Sequence, residues 1–199
     1  VWDGLLSPRL WLHRSSRLDL QLALLRGLVR LAGLVPWTIG AWGLAVAVTR
    51  SLDGAFGTPS LTAPAWALMA GYTLVLFLSW DLSRYVLHRL VHEVPALWEL
   101  HQVHHSAEVL TPATFYRAHP IESVLFALRG ALVTGVVAGA FFWMFRGAAS
   151  QAQLLGVGAL GFAFNALGGN LRHSHVWISY GRWLEGWLLS PAQHQLHHT

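Results

Sequence analysis

Four stretches of this chain are long and apolar enough to cross a bilayer, and that fixes the kind of structure it can form. Residues 31–48, 61–80 and 147–171 carry no charge, and residues 123–145 carry only Arg129, near one end. A spanning helix needs about 20 apolar residues. Hydrocarbon offers backbone groups no hydrogen-bond partner, so each segment must satisfy its own N–H and C=O groups, which a helix does. The expected fold is all-α: a polytopic membrane bundle of about four transmembrane helices.

Two further segments are too short or too charged to span. Residues 18–30 mix leucines with Asp19, Gln21, Arg26 and Arg30, the pattern of an interfacial helix feeding the first span. Residues 177–190 place Trp177, Trp183 and Trp187 beside Arg182 and Glu185, which predicts a second interfacial helix at the headgroup boundary. Turn formers such as Asp53, Gly54, Gly57 and Pro59 lie between the first two spans. No linker divides the chain, so residues 1–199 are read as a single membrane-embedded domain. It begins at Val1 and stops at Thr199 directly after a histidine cluster, and is read as a fragment without its natural start and C-terminal tail.

If the spans alternate, Arg9, Arg14, Arg17, Arg26, Arg30, Arg84, Arg89, Arg117, Arg129, Arg172 and Arg182 share one side, and Arg50 and Arg146 the other. This bias assigns the arginine-rich side to the cytoplasm, and the chain to an inner membrane, expected to be bacterial. All 13 basic residues are arginine, and they are scattered beside apolar spans. They form no basic stripe, so the net charge of +4 speaks for lipid headgroups and against a nucleic-acid partner. The chain has no cysteine, which removes disulfides, thiolate metal sites and iron-sulfur clusters together. Any metal must sit on nitrogen or oxygen.

Nitrogen is abundant. Eleven of the 12 histidines fall between residues 88 and 198, and nearly all flank the spans. His88 and His92 stand one helical turn apart on a helix continuing from the second span. His101, His104 and His105 form H-x-x-H-H, and His194, His197 and His198 repeat it. Two crossings separate the repeats, so all eight histidines return to one membrane face. Eight imidazoles are too many for one ion and suit two, with room left for a further ligand. Imidazole serves iron, copper and zinc alike, so spacing does not choose the metal. His13, outside this region, is read as an ordinary surface or core residue rather than a ligand.

The text WDLSRYVLHRLVHEVPALWELHQVHHS (80–106), RAHPIE (117–122), RHSH (172–175) and LLSPAQHQLHH (188–198) resembles the fatty acid hydroxylase and sterol desaturase superfamily of integral-membrane di-iron enzymes. The resemblance runs from about residue 80 to the end. It implies that His88, His92, His101, His104, His105, His194, His197 and His198 bind two non-haem iron ions, and that His119 and His173 complete or support the site. His175 stands where the family often has asparagine, a departure from the pattern. The implied chemistry uses dioxygen as co-substrate and electrons from an external donor protein of cytochrome or ferredoxin type. It hydroxylates or desaturates an unactivated C–H position of a lipid from the bilayer in lipid biosynthesis.

Among the nearby carboxylates Asp81, Glu93, Glu99, Glu108, Glu122 and Glu185, some are expected to hydrogen-bond the outer nitrogens of ligand histidines. Arg117 with Glu122 is the expected supporting pair. The alternative class is a histidine-rich membrane metalloprotein without oxygenase activity, such as a zinc hydrolase, metal transporter or haem protein. Haem would want paired histidines within the spans, and a transporter would want polar residues along a path through them. Gly156, Gly158 and Gly161 match G-x-G-x-x-G inside an expected span with no strand before it, so close helix packing explains them better, as it does Gly135 and Gly139. His92-Glu93 does not extend to H-E-x-x-H, because Ala96 takes the second position. There is no G-x-S-x-G elbow either.

Overall fold

A computed structural model describes residues 7–59, 61–146, 177–186 and 190–198. Among them every regular element is helical: α1 (Pro8–Trp11), α2 (Arg14–Phe56), α3 (Ala65–Glu93), α4 (Pro95–His105), a 3₁₀ turn (Pro112–Tyr116), α5 (Pro120–Met144), α6 (Gly181–Leu184) and α7 (Pro191–His197). Two helices, α3 and α5, are long and apolar enough to cross a membrane, and a third span is present if the bent pair Arg14–Gly33 and Pro36–Phe56 counts as one. Pro36 explains the interruption, since it lacks an N–H and its ring collides with the preceding turn. The expected fourth span, residues 147–171, lies outside the described residues, as does the G-x-G-x-x-G match.

Two expectations change. The interfacial helix over residues 18–30 is not a separate element but the first half of α2. The helix expected over residues 177–190 is, among the described residues, only the four-residue turn α6, which begins at Gly181 with φ 78°. Helix α3 continues past the apolar span to Glu93, as expected, and so carries His88 and His92 on one helix, one turn apart, as their spacing predicts.

The chain divides into two compact units, the first formed by Val1–Arg30, Val91–Ser123 and Phe162–Thr199, the second by Leu31–Leu90 and Val124–Gly161. The second is the apolar unit. Its core is Leu68 and Tyr72 of α3 against Val137 and Phe141 of α5, with the two rings edge to face at 5.2 Å. Leu74, Val75, Leu78, Leu82 and Val86 of α3 and Leu128, Leu132 and Val136 of α5 are exposed, an outward face that suits lipid rather than water.

Helix α5 approaches α2 through glycines. A Cβ on Gly135 would lie 2.8 Å from the Ala41 carbonyl oxygen and 2.9 Å from Leu44 Cβ; on Gly139 it would lie 2.6 Å from the Ala45 carbonyl oxygen and 2.8 Å from Val48 Cβ. The absent side chains let backbones meet, which in a membrane replaces the hydrophobic effect as the packing force. Thr49 uses this closeness, its hydroxyl donating to the Gly139 carbonyl at 3.0 Å and to its own helix at Ala45 at 2.9 Å. Toward the other end of α5, Arg129 donates to the Trp80 carbonyl at 2.9 Å and to Ser83 Oγ at 2.7 Å, with its guanidinium 4.6 Å from the Trp80 ring centroid. The Trp80 indole N–H donates to Thr134 Oγ1 at 3.2 Å. A charge on an apolar helix thus has polar partners and an aromatic face.

Gly139→Ala is expected to destabilise the chain by about 1–3 kcal/mol, the usual cost of overpacking. Gly43→Ala on α2, where an added Cβ meets nothing within 4 Å, is expected to leave stability unchanged or raise it. Thermal unfolding of the two variants in one detergent checks the contrast.

Candidate metal centre

The first unit gathers the histidines through a sharp elbow. Pro95 disfavours helical backbone at Val94, which is extended at φ −95° and ψ 114°, so α3 ends at Glu93 and α4 restarts at Pro95. That single-residue break turns the second histidine cluster back onto the end of α3. The His92 ring then lies 4.7 Å from that of His101, 5.0 Å from His105 and 4.6 Å from His197, centroid to centroid. The third cluster enters on α7, started by Pro191 and capped by Ser190, whose hydroxyl accepts from Gln193 N–H at 3.2 Å while the Gln193 side chain accepts from Ser190 N–H at 3.1 Å. Glu185 holds this cap in place, accepting from Ser190 Oγ at 2.6 Å and from Ser179 Oγ at 2.7 Å.

Two groups result. Ring nitrogens of His92, His101 and His197 lie within 4.8 Å of one another, and so do those of His104, His194 and His198. His105 stands between them, its ring 4.9 Å from His197 of the first group and stacked at 4.6 Å on His198 of the second. His88 lies one turn before His92 on α3, where that helix belongs to the apolar unit. His119 is not among these rings in any described contact: it precedes α5, and its Nδ1 accepts the N–H of Ile121 at 3.2 Å. Its side chain thus caps the start of α5. His173 and His175 lie outside the described residues. His13 sits at the surface, 3.9 Å from Glu108, as an ordinary residue would.

The outer nitrogens of two rings are held. His101 Nδ1 meets the buried Glu122 Oε1 at 2.8 Å, and His104 Nδ1 donates to the Arg117 carbonyl oxygen at 2.9 Å. A carbonyl only accepts, so Nδ1 of His104 bears a hydrogen and its Nε2 is left to face its group. The Glu122 carboxylate holds His101 by the same nitrogen. This is the arrangement that orients imidazole toward a metal. The expected support therefore exists at Glu122, but the expected partnership of Glu122 with Arg117 does not: Glu122 takes His101, and the Arg117 guanidinium pairs with Asp19. Glu99 instead accepts from Gln102.

The electrostatics favour neutral rings. Burial, and then the neighbouring His198, hold the His105 imidazole down at about 3. Burial and the adjacent His197 hold His198 at about 4, and burial lowers His197 as well. The Nε2 atoms of His194 and His198 face each other at 3.2 Å, where two lone pairs repel unless a proton or cation lies between them. His105 Nε2 is buried without a hydrogen-bond partner among the described residues. Uncharged imidazoles with lone pairs converging on small volumes form a donor set that suits divalent transition metals.

Sequence reasoning missed Trp98, which packs on His92 at 5.4 Å and on His105 at 5.5 Å. Its position three residues before His101 on α4 placed it on the ligand face, a signal available beforehand. It missed Asp19 for want of any local signal beyond a lone carboxylate among leucines.

Described residues whose regular elements are all helical, two helices long and apolar enough to span a membrane, and clustered histidines able to hold metal fit the class of membrane metalloproteins. The fatty acid hydroxylase family model matches residues 73–199, well over half of the chain, and the chain belongs to that family. No curated protein and no solved structure matches it. It is therefore an integral membrane protein of a lipid hydroxylase and desaturase type.

Because His105, His197 and His198 titrate below the ordinary 6.5 when folded, the unfolded chain binds protons that the folded cluster refuses. Their contribution to stability is present above pH 6.5 and is lost as pH falls toward 4 and 3. The unfolding temperature of the metal-free chain is expected to drop through that window. Glu122→Ala, which strips His101 of its outer partner, is expected to weaken metal binding by about 10–100-fold, read by chelator competition.

Proposed function

We propose that this protein is an oxygen-dependent di-iron oxidoreductase that hydroxylates or desaturates an unactivated C–H position of a lipid. The observation that carries the reading is the pair of adjacent histidine groups, joined by His105, with outer nitrogens on Glu122 and the Arg117 carbonyl. His92, His101 and His197, with His88 one turn before on α3, would hold one iron; His104, His194 and His198 would hold the other, and His105 stands within reach of both. His173 is carried as a further candidate by its place in the family's motif alone. Bound iron supplies the activation of dioxygen.

The chain's own residues supply the rest. Burial favours the neutral form of His105, His197 and His198, the form that binds metal, and held Nδ1 atoms orient His101 and His104. Apolar side chains exclude water, and exposed faces of α3 and α5 admit a substrate from the bilayer. In hydroxylation one oxygen atom enters the lipid and the other leaves as water, so two electrons and two protons must arrive; in desaturation both atoms leave as water. The electrons come from an external donor protein of cytochrome or ferredoxin type. The distribution of arginines supports a centre that faces the cytoplasm, in a bacterial inner membrane.

Elemental analysis of the purified chain is expected to find about two irons, and substantially less in His104→Ala and in His197→Ala, each variant removing a ligand of a different group. No iron in the parent, or one zinc indifferent to both changes, would favour a non-oxygenase metalloprotein instead.

A further inference from the structure

The family match begins at residue 73, yet the most completely bonded side chain near the histidines is tied to a residue far upstream. Arg117 is 1% exposed and offers five N–H donors, and each has an acceptor. Nε donates to Asp19 Oδ1. Nη1 donates to the Ser106 carbonyl at 3.0 Å and to Ser106 Oγ at 3.1 Å. Nη2 donates to the Ser15 carbonyl and to Ser15 Oγ, both at 2.7 Å. Asp19 is wholly buried, and its other oxygen accepts from Thr114 Oγ1 at 2.7 Å. Thr114 in turn accepts the Thr111 N–H at 3.0 Å, which closes the 3₁₀ turn leading into Arg117.

Two of these links reach His104. Ser106 is the C-cap of α4, the helix that carries His101, His104 and His105, so the guanidinium clamps the end of the ligand helix, where a cation also suits the helix dipole. The carbonyl oxygen of Arg117 then accepts a hydrogen bond from His104 Nδ1. One residue thus fixes both the helix and the ring, and Asp19 with Ser15 fixes that residue. A buried guanidinium without its carboxylate would be an uncompensated charge.

We infer that Asp19, on the amino-terminal helix and outside the matched region, is a positioning residue for the metal held by His104, acting through the Arg117 side chain and carbonyl. The inference rests on the metal-centre reading above. It makes the amino-terminal half of α2 part of the metal site.

Cobalt(II) titration of the full chain in detergent, followed by its visible absorption bands, tests this. The parent is expected to bind two ions and His104→Ala to lose one. Asp19→Asn, which keeps the shape and removes the charge, is expected to bind two, with one weakened by about 10–100-fold and its bands altered, and the other unchanged. Parent-like binding in Asp19→Asn, or equal weakening of both ions, overturns the positioning role while leaving the metal centre standing. If His104→Ala binds as the parent does, the metal reading fails and this inference with it. Should Asp19→Asn not be recovered folded, Ser15→Ala decides: it removes one of the five acceptors, and is expected to weaken the same ion by about five-fold, whereas parent affinity for both ions overturns the proposal.

Discussion

Seven imidazole rings joined in one set of ring contacts cannot all carry charge. His92, His101, His104, His105, His194, His197 and His198 form such a cluster in the first unit, and protonating several of them would set like charges against each other inside protein. Burial and mutual repulsion keep His105 and His198 neutral far below their ordinary range. The same condition suits metal binding, because a neutral ring has a lone pair to give. The surroundings of the cluster, from the Val94 elbow to the Ser190 cap, bring the rings together, and partners for His101 and His104 turn those two.

Orientation needs partners, and these come from beyond the histidine motifs. Glu122 stands at the start of α5 and reaches His101; the Arg117 carbonyl, just before α5, reaches His104. Glu185 supports the cap of α7 and thereby the entry of His194. Asp19 and Ser15, nearly a hundred residues upstream of Arg117, complete its hydrogen bonding. Every one of these groups is polar and buried or partly buried, where an unmet donor or acceptor costs more than a met one gains. That asymmetry makes the arrangement specific.

The apolar unit solves a different problem. Its core is small, Leu68, Tyr72, Val137 and Phe141 with their neighbours, and much of its aliphatic surface faces outward. Burial cannot hold such helices together in lipid, and close backbone approach at Gly135 and Gly139, with the Thr49 bond across it, takes over. The two units thus rely on opposite forces: polar satisfaction around the histidines, and van der Waals contact among the spans.

The sequence by itself determined the helical membrane fold and which histidines cluster. Apolar length sets a span, and i, i+3 and i, i+4 spacing sets a helix face, and both are local properties. The Gly135 and Gly139 pair was legible for the same reason, and Glu122 was legible as a carboxylate close to the second cluster. Only the tertiary structure decided which outer nitrogen met which acceptor. It gave Glu122 to His101 rather than to Arg117, gave Arg117 to Asp19, and made His119 a helix cap. It also ran the expected interfacial helix into the first span across a bend at Pro36, and among the described residues left the tryptophan-rich segment as the single turn Gly181–Leu184. Those outcomes depend on contacts up to 98 residues apart, and partner choice at such distances follows from packing geometry that no local pattern encodes.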